Sequence, residues 1–366
     1  MTQPYDLLND LAGIAPDSAL AAARQQRDAA THATQGSYQA LFGEGSADFP
    51  LNERLVIAAQ VATWHQAPAL ADHYAQQSKS LPSGERLSTA LEQAERLTFQ
   101  PVSAAPAHLE ALQQTGWTLA GIVTLSQLVA FVSFQSRLLE GLYQLNGHGE
   151  SQGQVATAGQ WHTQPLTHSG KAAPIAFTQQ ALGWTPWIAA KPLAQFNEEE
   201  QATLARFGHT DSDYFRLLAR NLPVLEQRTL TDKGIFYTAG GLPRAERELA
   251  ATVASKVNGC IYCASVHARK AGQLSKQPEA VQQLLDVAPG QSLSRGQSPR
   301  WQAEITFAAA LSATPPVAGR QQIQALREQG LDTLELLDLV QATAFFAWAN
   351  RLMLTLGEPF LPAAGE

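Results

Sequence analysis

The sequence predicts an all-α protein made of two tandem helical domains. Three observations lead there. Alanine, leucine and glutamine dominate the 366 residues while alternating β-branched runs are scarce. Apolar residues recur at three-to-four spacing in segment after segment. One of those segments occurs twice. In order, the periodicity predicts helices over 17–33, 52–65, 67–78, 85–97, 105–115 and 118–145 in the first half. It predicts 198–207, 214–219, 223–239, 243–257, 260–271, 277–285, 299–312, 317–329 and 333–356 in the second. Between the two sets, 146–174 is rich in Gly, Gln, Ser, Thr and His, carries no apolar period, and reads as a linker or surface excursion. The aromatic stretch Leu182-Gly-Trp-Thr-Pro-Trp-Ile188 is too apolar for a free tether and is expected to dock on one of the domains.

The repeat sets the domain count. Residues 111–142 align without a gap on 325–356, with ten of 32 positions identical, including Gly116/Gly330, Gln127/Gln341, Phe131/Phe345 and Arg137/Arg351. Composition alone would give about two identities. Upstream, Glu53-Arg54 matches Glu246-Arg247, and Ala58 matches Ala251, at a different offset. The expected boundaries are 1–147 for the first domain, 148–175 for the linker and 176–366 for the second domain.

Bulk properties exclude several classes of function. The formal charge of −7 comes from mixed signs without a Lys/Arg block, so neither nucleic acid nor an anionic membrane is an expected partner. The most apolar stretches are interrupted by Gln127, Arg137 and Glu140, or by Asp338, Asn350 and Arg351, as core helices are and membrane spans are not. The first residues show neither a basic nor an apolar export region, and a cytoplasmic location is the expectation. Two cysteines cannot make a disulfide framework, and the cytosol would keep them as a dithiol until they react.

Those two cysteines carry the chemistry. They stand in Asn258-Gly-Cys-Ile-Tyr-Cys-Ala-Ser-Val-His267, where Asn258-Gly259 stops one helix and a second begins at once. Both thiols are expected in the first turn of that helix, where free N–H groups favour a thiolate. Cys263 and His267 form an i,i+4 pair, so the imidazole reaches the second sulfur more readily than the first. Glu248 lies ten residues before Asn258. In a helical hairpin it would stand at nearly the depth of His267, close enough to orient the ring. At the aligned positions of the first copy stand Leu55, Ala67, Leu70 and Tyr74 in place of Glu248, Cys260, Cys263 and His267. The first copy is therefore read as scaffold.

From Arg247 to His267 the residue types and spacing resemble the core motif of AhpD-like alkylhydroperoxidases, within the carboxymuconolactone decarboxylase-like superfamily. A Glu stands twelve positions before the first Cys, and Cys-x-x-Cys-x-x-x-His follows. The resemblance extends over 223–357, including Asn350-Arg351-Leu352, and the first half resembles cysteine-free relatives. It implies two tandem AhpD-like helical domains and antioxidant thiol peroxidase or disulfide reductase chemistry. It also implies association into homo-oligomers, such as a trimer forming a six-domain ring. Carried over by position, Cys263 is the peroxidatic thiol, Cys260 the resolving one, His267 the base and Glu248 its partner. The substrate would be a small hydroperoxide and the reductant an external dithiol on a lipoylated or thioredoxin-like protein, with no cofactor. One position departs from the pattern. Where the best-known members have a second histidine just before the second Cys, this chain has Tyr262, a donor to substrate or a pocket wall.

The same residues admit other readings. Two small core cysteines would not also bring the Glu and His spacings. Zinc would need His209 or Glu248 as a fourth ligand beside Cys260, Cys263 and His267. A thioredoxin-type site needs a βαβ context. A lactone decarboxylase does not call for the cysteine pair. The alternative to an enzyme is a redox-sensing or assembly protein that uses the same disulfide without turnover. Arg137 and Arg351 read as buried ion-pair or carbonyl-binding residues, and Trp184, Trp187 and Trp348 as core or interface. His32, His65, His73, His108, His148, His162, His168 and His209 show no ligand spacing.

Overall fold

The computed structural model describes residues 5–43, 46–80 and 82–363, and it is all-α apart from one pair of short strands. The first half contains α1 (Leu7–Ala12), α2 (Ala19–Gln26), α3 (Asp28–Phe42), α4 (Leu51–Trp64), α5 (Pro68–Gln77), α6 (Glu85–Phe99), α7 (Pro106–Gln114) and α8 (Leu119–Leu145). The second contains α9 (Glu198–Phe207), α10 (Asp213–Leu218), α11 (Leu222–Phe236), α12 (Arg244–Asn258), α13 (Ile261–Ser275) and α14 (Pro278–Leu285). It continues through α15 (Pro299–Ser312), α16 (Arg320–Glu328) and α17 (Thr333–Leu356). Strands β1 (Gly183–Pro186) and β2 (Gly357–Phe360) pair antiparallel, Trp184 opposite Pro359.

Local signals place most helix ends. Thr118 caps α8 through its side chain, and Asp332 caps α17 in a capping box with Glu335. The aligned Gly116 and Gly330 both take left-handed backbone, with φ of 93° and 87°. Elsewhere tertiary contacts override the local pattern. The single helix expected over 17–33 is two, broken at Arg27. That guanidinium grips Asp338 of α17 at 2.7 and 2.9 Å and the carbonyls of Ala239 and Gly240. A distant carboxylate, invisible to periodicity, decides where the chain bends. The short α1 and the strand pair also lie outside the sequence expectation.

The two long helices α8 and α17 pack along each other at the centre. Trp348 stacks on Phe134 with ring centroids 5.6 Å apart, and its indole N–H donates to Gln127 Oε1 at 2.7 Å. Gly141 permits the close approach, because a Cβ there would overlap the Val340 side chain. One apolar cluster runs continuously from Leu7 to Leu356 through both halves. A smaller one lies beneath α12, α13, α14 and α15. Helix α8 is long and apolar enough to cross a membrane by length and composition, yet 89% of its apolar window is buried in the fold.

The stretch between the halves lies along the second half. Gln154 N donates to Val317 O, Ala158 N to Gln291 O and Gly159 N to Lys256 O. Trp161 and Phe177 meet edge to face at 5.0 Å over the Lys256 ammonium, which itself donates to the carbonyls of Leu285 and Val287. The aromatic stretch supplies β1, so it docks on the end of α17.

Candidate active site

Helix α12 ends at Gly259, whose left-handed backbone (φ 76°) turns the chain directly into α13. No side chain fits there, since a Cβ would overlap the Gln160 carbonyl. Cys260 is the N-cap residue of α13 and Cys263 lies in its first turn; the sequence had placed both inside the helix. The turn is pinned from α17. Asn258 Nδ2 donates to Asn350 Oδ1, and Asn350 Nδ2 donates to Ser255 Oγ, each at 3.0 Å.

Both thiols are nearly sealed, at 1% exposure for Cys260 and 6% for Cys263. They are not equivalent. The Cys260 thiol hydrogen-bonds the Cys263 sulfur, and this outweighs burial. The Asn350 amide, the Arg228 charge and the helix-start N–H act in the same direction, so the Cys263 thiol is held below its ordinary value. Burial pushes the Cys260 thiol well up, as do its bond to Cys263 and the neighbouring charge. The pair is an ionisable sulfur beside a protonated one.

Glu248, fully buried on α12, meets His267 on α13. Nδ1 of the ring donates to Glu248 Oε2, while Arg244 Nε donates to Oε1 at 2.6 Å. Burial works to raise the Glu248 carboxyl, but the His267 hydrogen bond, the His267 charge, Arg244 and Lys270 hold it below the usual carboxylate range. The ring rests edge-on against Phe346 at 4.4 Å. Among the described residues no hydrogen bond joins His267 to Cys263. The imidazole is tied to its carboxylate, and the groups that depress Cys263 are Cys260, Asn350 and Arg228.

Arg228 and Tyr214 are the residues that sequence reasoning missed. Arg228, 6% exposed on α11, lies over the Phe345 ring at 5.2 Å, and its charge acts on both Cys263 and Asp232. Tyr214 on α10 has a buried phenol with no hydrogen-bond partner among the described residues, and its pKa is pushed up, chiefly by burial and in part by the two nearby sulfurs. Neither stands at a telling spacing from the cysteines, and only the packing of α10 and α11 brings them close. Asn350 was legible as part of the resemblance, without its role.

Tyr262 has a phenol raised first by burial and then by both sulfurs. It lines a cavity of about 230 Å³ together with Cys260, Gly259 and Ile261. The far walls come from the connecting stretch (His162, His168, Pro174), from Trp187, and from Met353 and Glu358 at the end of α17 and in β2. Cys263 and His267 are not among its walls.

Residues 223–289, which hold α11 to α14 and the Glu248, Cys260, Cys263 and His267 set, match the model of the carboxymuconolactone decarboxylase family. Among solved structures, the chain is similar to an uncharacterized peroxidase-related protein from Ralstonia eutropha JMP134, described as an alkylhydroperoxidase AhpD core. The identity is 22%, covering 45% of this chain and 87% of that one, at a TM-score of 0.36. No curated protein matches.

Proposed function

We propose that this protein is a thiol-dependent oxidoreductase that reduces organic hydroperoxides, or exchanges dithiol for disulfide, at Cys260 and Cys263. The observation that carries the reading is the asymmetry of the thiol pair: one sulfur depressed by its neighbour, Asn350 and Arg228, the other held protonated beside it. The match over 223–289 supports it at the level of the family.

In this reading the Cys263 thiolate attacks the distal oxygen of a hydroperoxide, the O–O bond breaks, and the alcohol leaves with a proton. Cys260 then attacks the sulfenic acid, expels water and closes the disulfide. An external dithiol reopens it and becomes oxidised in turn. His267, with Nδ1 committed to Glu248, is left with Nε2 to exchange protons near Cys263, and the carboxylate stabilises the charged ring. The aligned first-half positions, Leu55, Ala67, Leu70 and Tyr74, carry no such groups, so the first half serves as a tandem scaffold.

The test is steady-state hydroperoxide reduction with a dithiol reductant. Cys263→Ser should abolish turnover. Cys260→Ser should allow a single oxidation of Cys263 but no catalytic cycle. Wild-type turnover in Cys263→Ser would remove that sulfur from its role.

A further inference from the structure

The cavity holds a second histidine–carboxylate pair that the scheme above does not use. His168 Nδ1 donates to Glu358 Oε2 at 2.9 Å, and the same oxygen accepts from the His168 backbone N–H at 3.0 Å. A carboxylate accepts only, so Nδ1 carries the proton and Nε2 is the basic nitrogen. Nε2 makes no hydrogen bond among the described residues. Trp187 meets the ring edge to face at 5.5 Å and holds it in place. His168 is half exposed, whereas the Glu358 side chain is 11% exposed. Among the described residues, Glu358 Oε1 and Trp187 Nε1 of this cavity's walls are buried without hydrogen-bond partners.

The cavity also lies on one side of the cysteine pair. Cys260 is one of its walls and Cys263 is not. A thiol bound in this cavity would therefore approach a Cys260–Cys263 disulfide from the Cys260 side.

We infer that the cavity admits the thiol reductant, and that His168, oriented by Glu358, is the base that activates it for attack on Cys260. This rests on the redox reading of the cysteine pair and adds the site, the base and the direction of its reductive half. The thiol gives its proton to His168 Nε2. Its sulfur bonds to Cys260 as the Cys260–Cys263 bond breaks, and the electron pair leaves on Cys263. The second thiol of the dithiol then loses its proton to solvent and attacks the reductant sulfur of the mixed disulfide. The S–S bond to Cys260 breaks, Cys260 leaves as a thiolate that recovers the first proton from His168, and the reductant departs as a cyclic disulfide. Cys263 is the better leaving group of the two sulfurs, since it is the one stabilised as an anion. The walls suit a slim apolar arm, with Ile261, Met353, Leu354, Ala173 and Pro174 along its length.

The experiment starts from full-length protein oxidised with diamide, so that it does not depend on peroxidase activity. Failure to form the Cys260–Cys263 disulfide at all would overturn the redox reading itself. With the disulfide formed, reduction by dithiothreitol is followed by stopped flow. His168→Ala should slow it roughly 10²-fold, the lower end of what a positioned base contributes, and added imidazole should restore much of the rate. Reduction of this variant at the wild-type rate, or slowing that imidazole does not relieve, would overturn the inference alone. A second readout uses 2-mercaptoethanol, with the transient mixed disulfide located by peptide mass spectrometry. An adduct on Cys260 supports the inference and an adduct on Cys263 overturns it.

Discussion

At the residue scale the site turns on what stabilises one sulfur anion. Sequence spacing credits His267 and the helix N-terminus. The structure keeps the helix N–H but assigns the larger share to Cys260, Asn350 and Arg228, and gives His267 to Glu248. Cys263 is depressed, so its thiolate persists as pH falls below the ordinary thiol range near 8.5 and is lost only below the lowered value. Arg228→Met removes a favourable charge from a buried position, so the Cys263 pKa should rise. The acid limb of its iodoacetamide reaction should then move to higher pH. An unshifted limb in Arg228→Met would leave Cys260, Asn350 and the helix N–H as the whole account. Glu248 and His267 are legible in the chain because a helical hairpin converts sequence distance into depth. Arg228 and Tyr214 are not, because their approach depends on how α10 and α11 cross the hairpin.

At the scale of elements, one arginine fastens three helices. Arg300 of α15 holds Glu246 of α12 at 2.8 and 2.7 Å, Glu304 of its own helix at 3.2 Å and Glu335 of α17 at 3.6 Å. Three carboxyls around one guanidinium cannot all ionise cheaply. Burial, with Glu246 adding to it, pushes the 2%-exposed Glu304 up to about 9. Its unfolded value is about 4.3, so its contribution to stability is full below that pH and is lost progressively as pH rises toward 9. Glu304→Gln should therefore stabilise the protein by about 1–3 kcal/mol at pH 8 and by little at pH 5. Urea unfolding at the two pH values measures this, and an equal gain at both would refute the neutral carboxyl. The sequence shows these acids as ordinary helix-surface charges. Only the convergence of α12, α15 and α17 makes them compete.

For the whole molecule, the two halves hold each other through a reciprocal exchange. Arg137 of α8 donates to the carbonyls of Ser312 and Ala313 at the end of α15 and to Thr314 Oγ1 at 2.6 Å. Arg351 of α17 donates to the carbonyls of Leu97 and Thr98 at the end of α6, at 2.8 and 2.9 Å. Both guanidiniums are fully buried and bind carbonyls instead of carboxylates. Arg351→Met keeps the stem but strands those buried acceptors, which should cost about 3–5 kcal/mol in urea unfolding. A loss below ~1 kcal/mol would mean that the carbonyls find other donors.

The chain by itself determines the helical class, the glycine stops, the repeated arginines and the hairpin that pairs Glu248 with His267. Each of these follows from contacts within a few turns of helix, where a fixed rise and twist convert spacing into position. Tertiary structure alone decides the break at Arg27, the charge beside Cys263, the neutral Glu304 and the cavity that joins His168 to Glu358 across 190 residues. Those contacts join segments whose separation carries no period, and they exist only once the shared core has fixed where each helix ends.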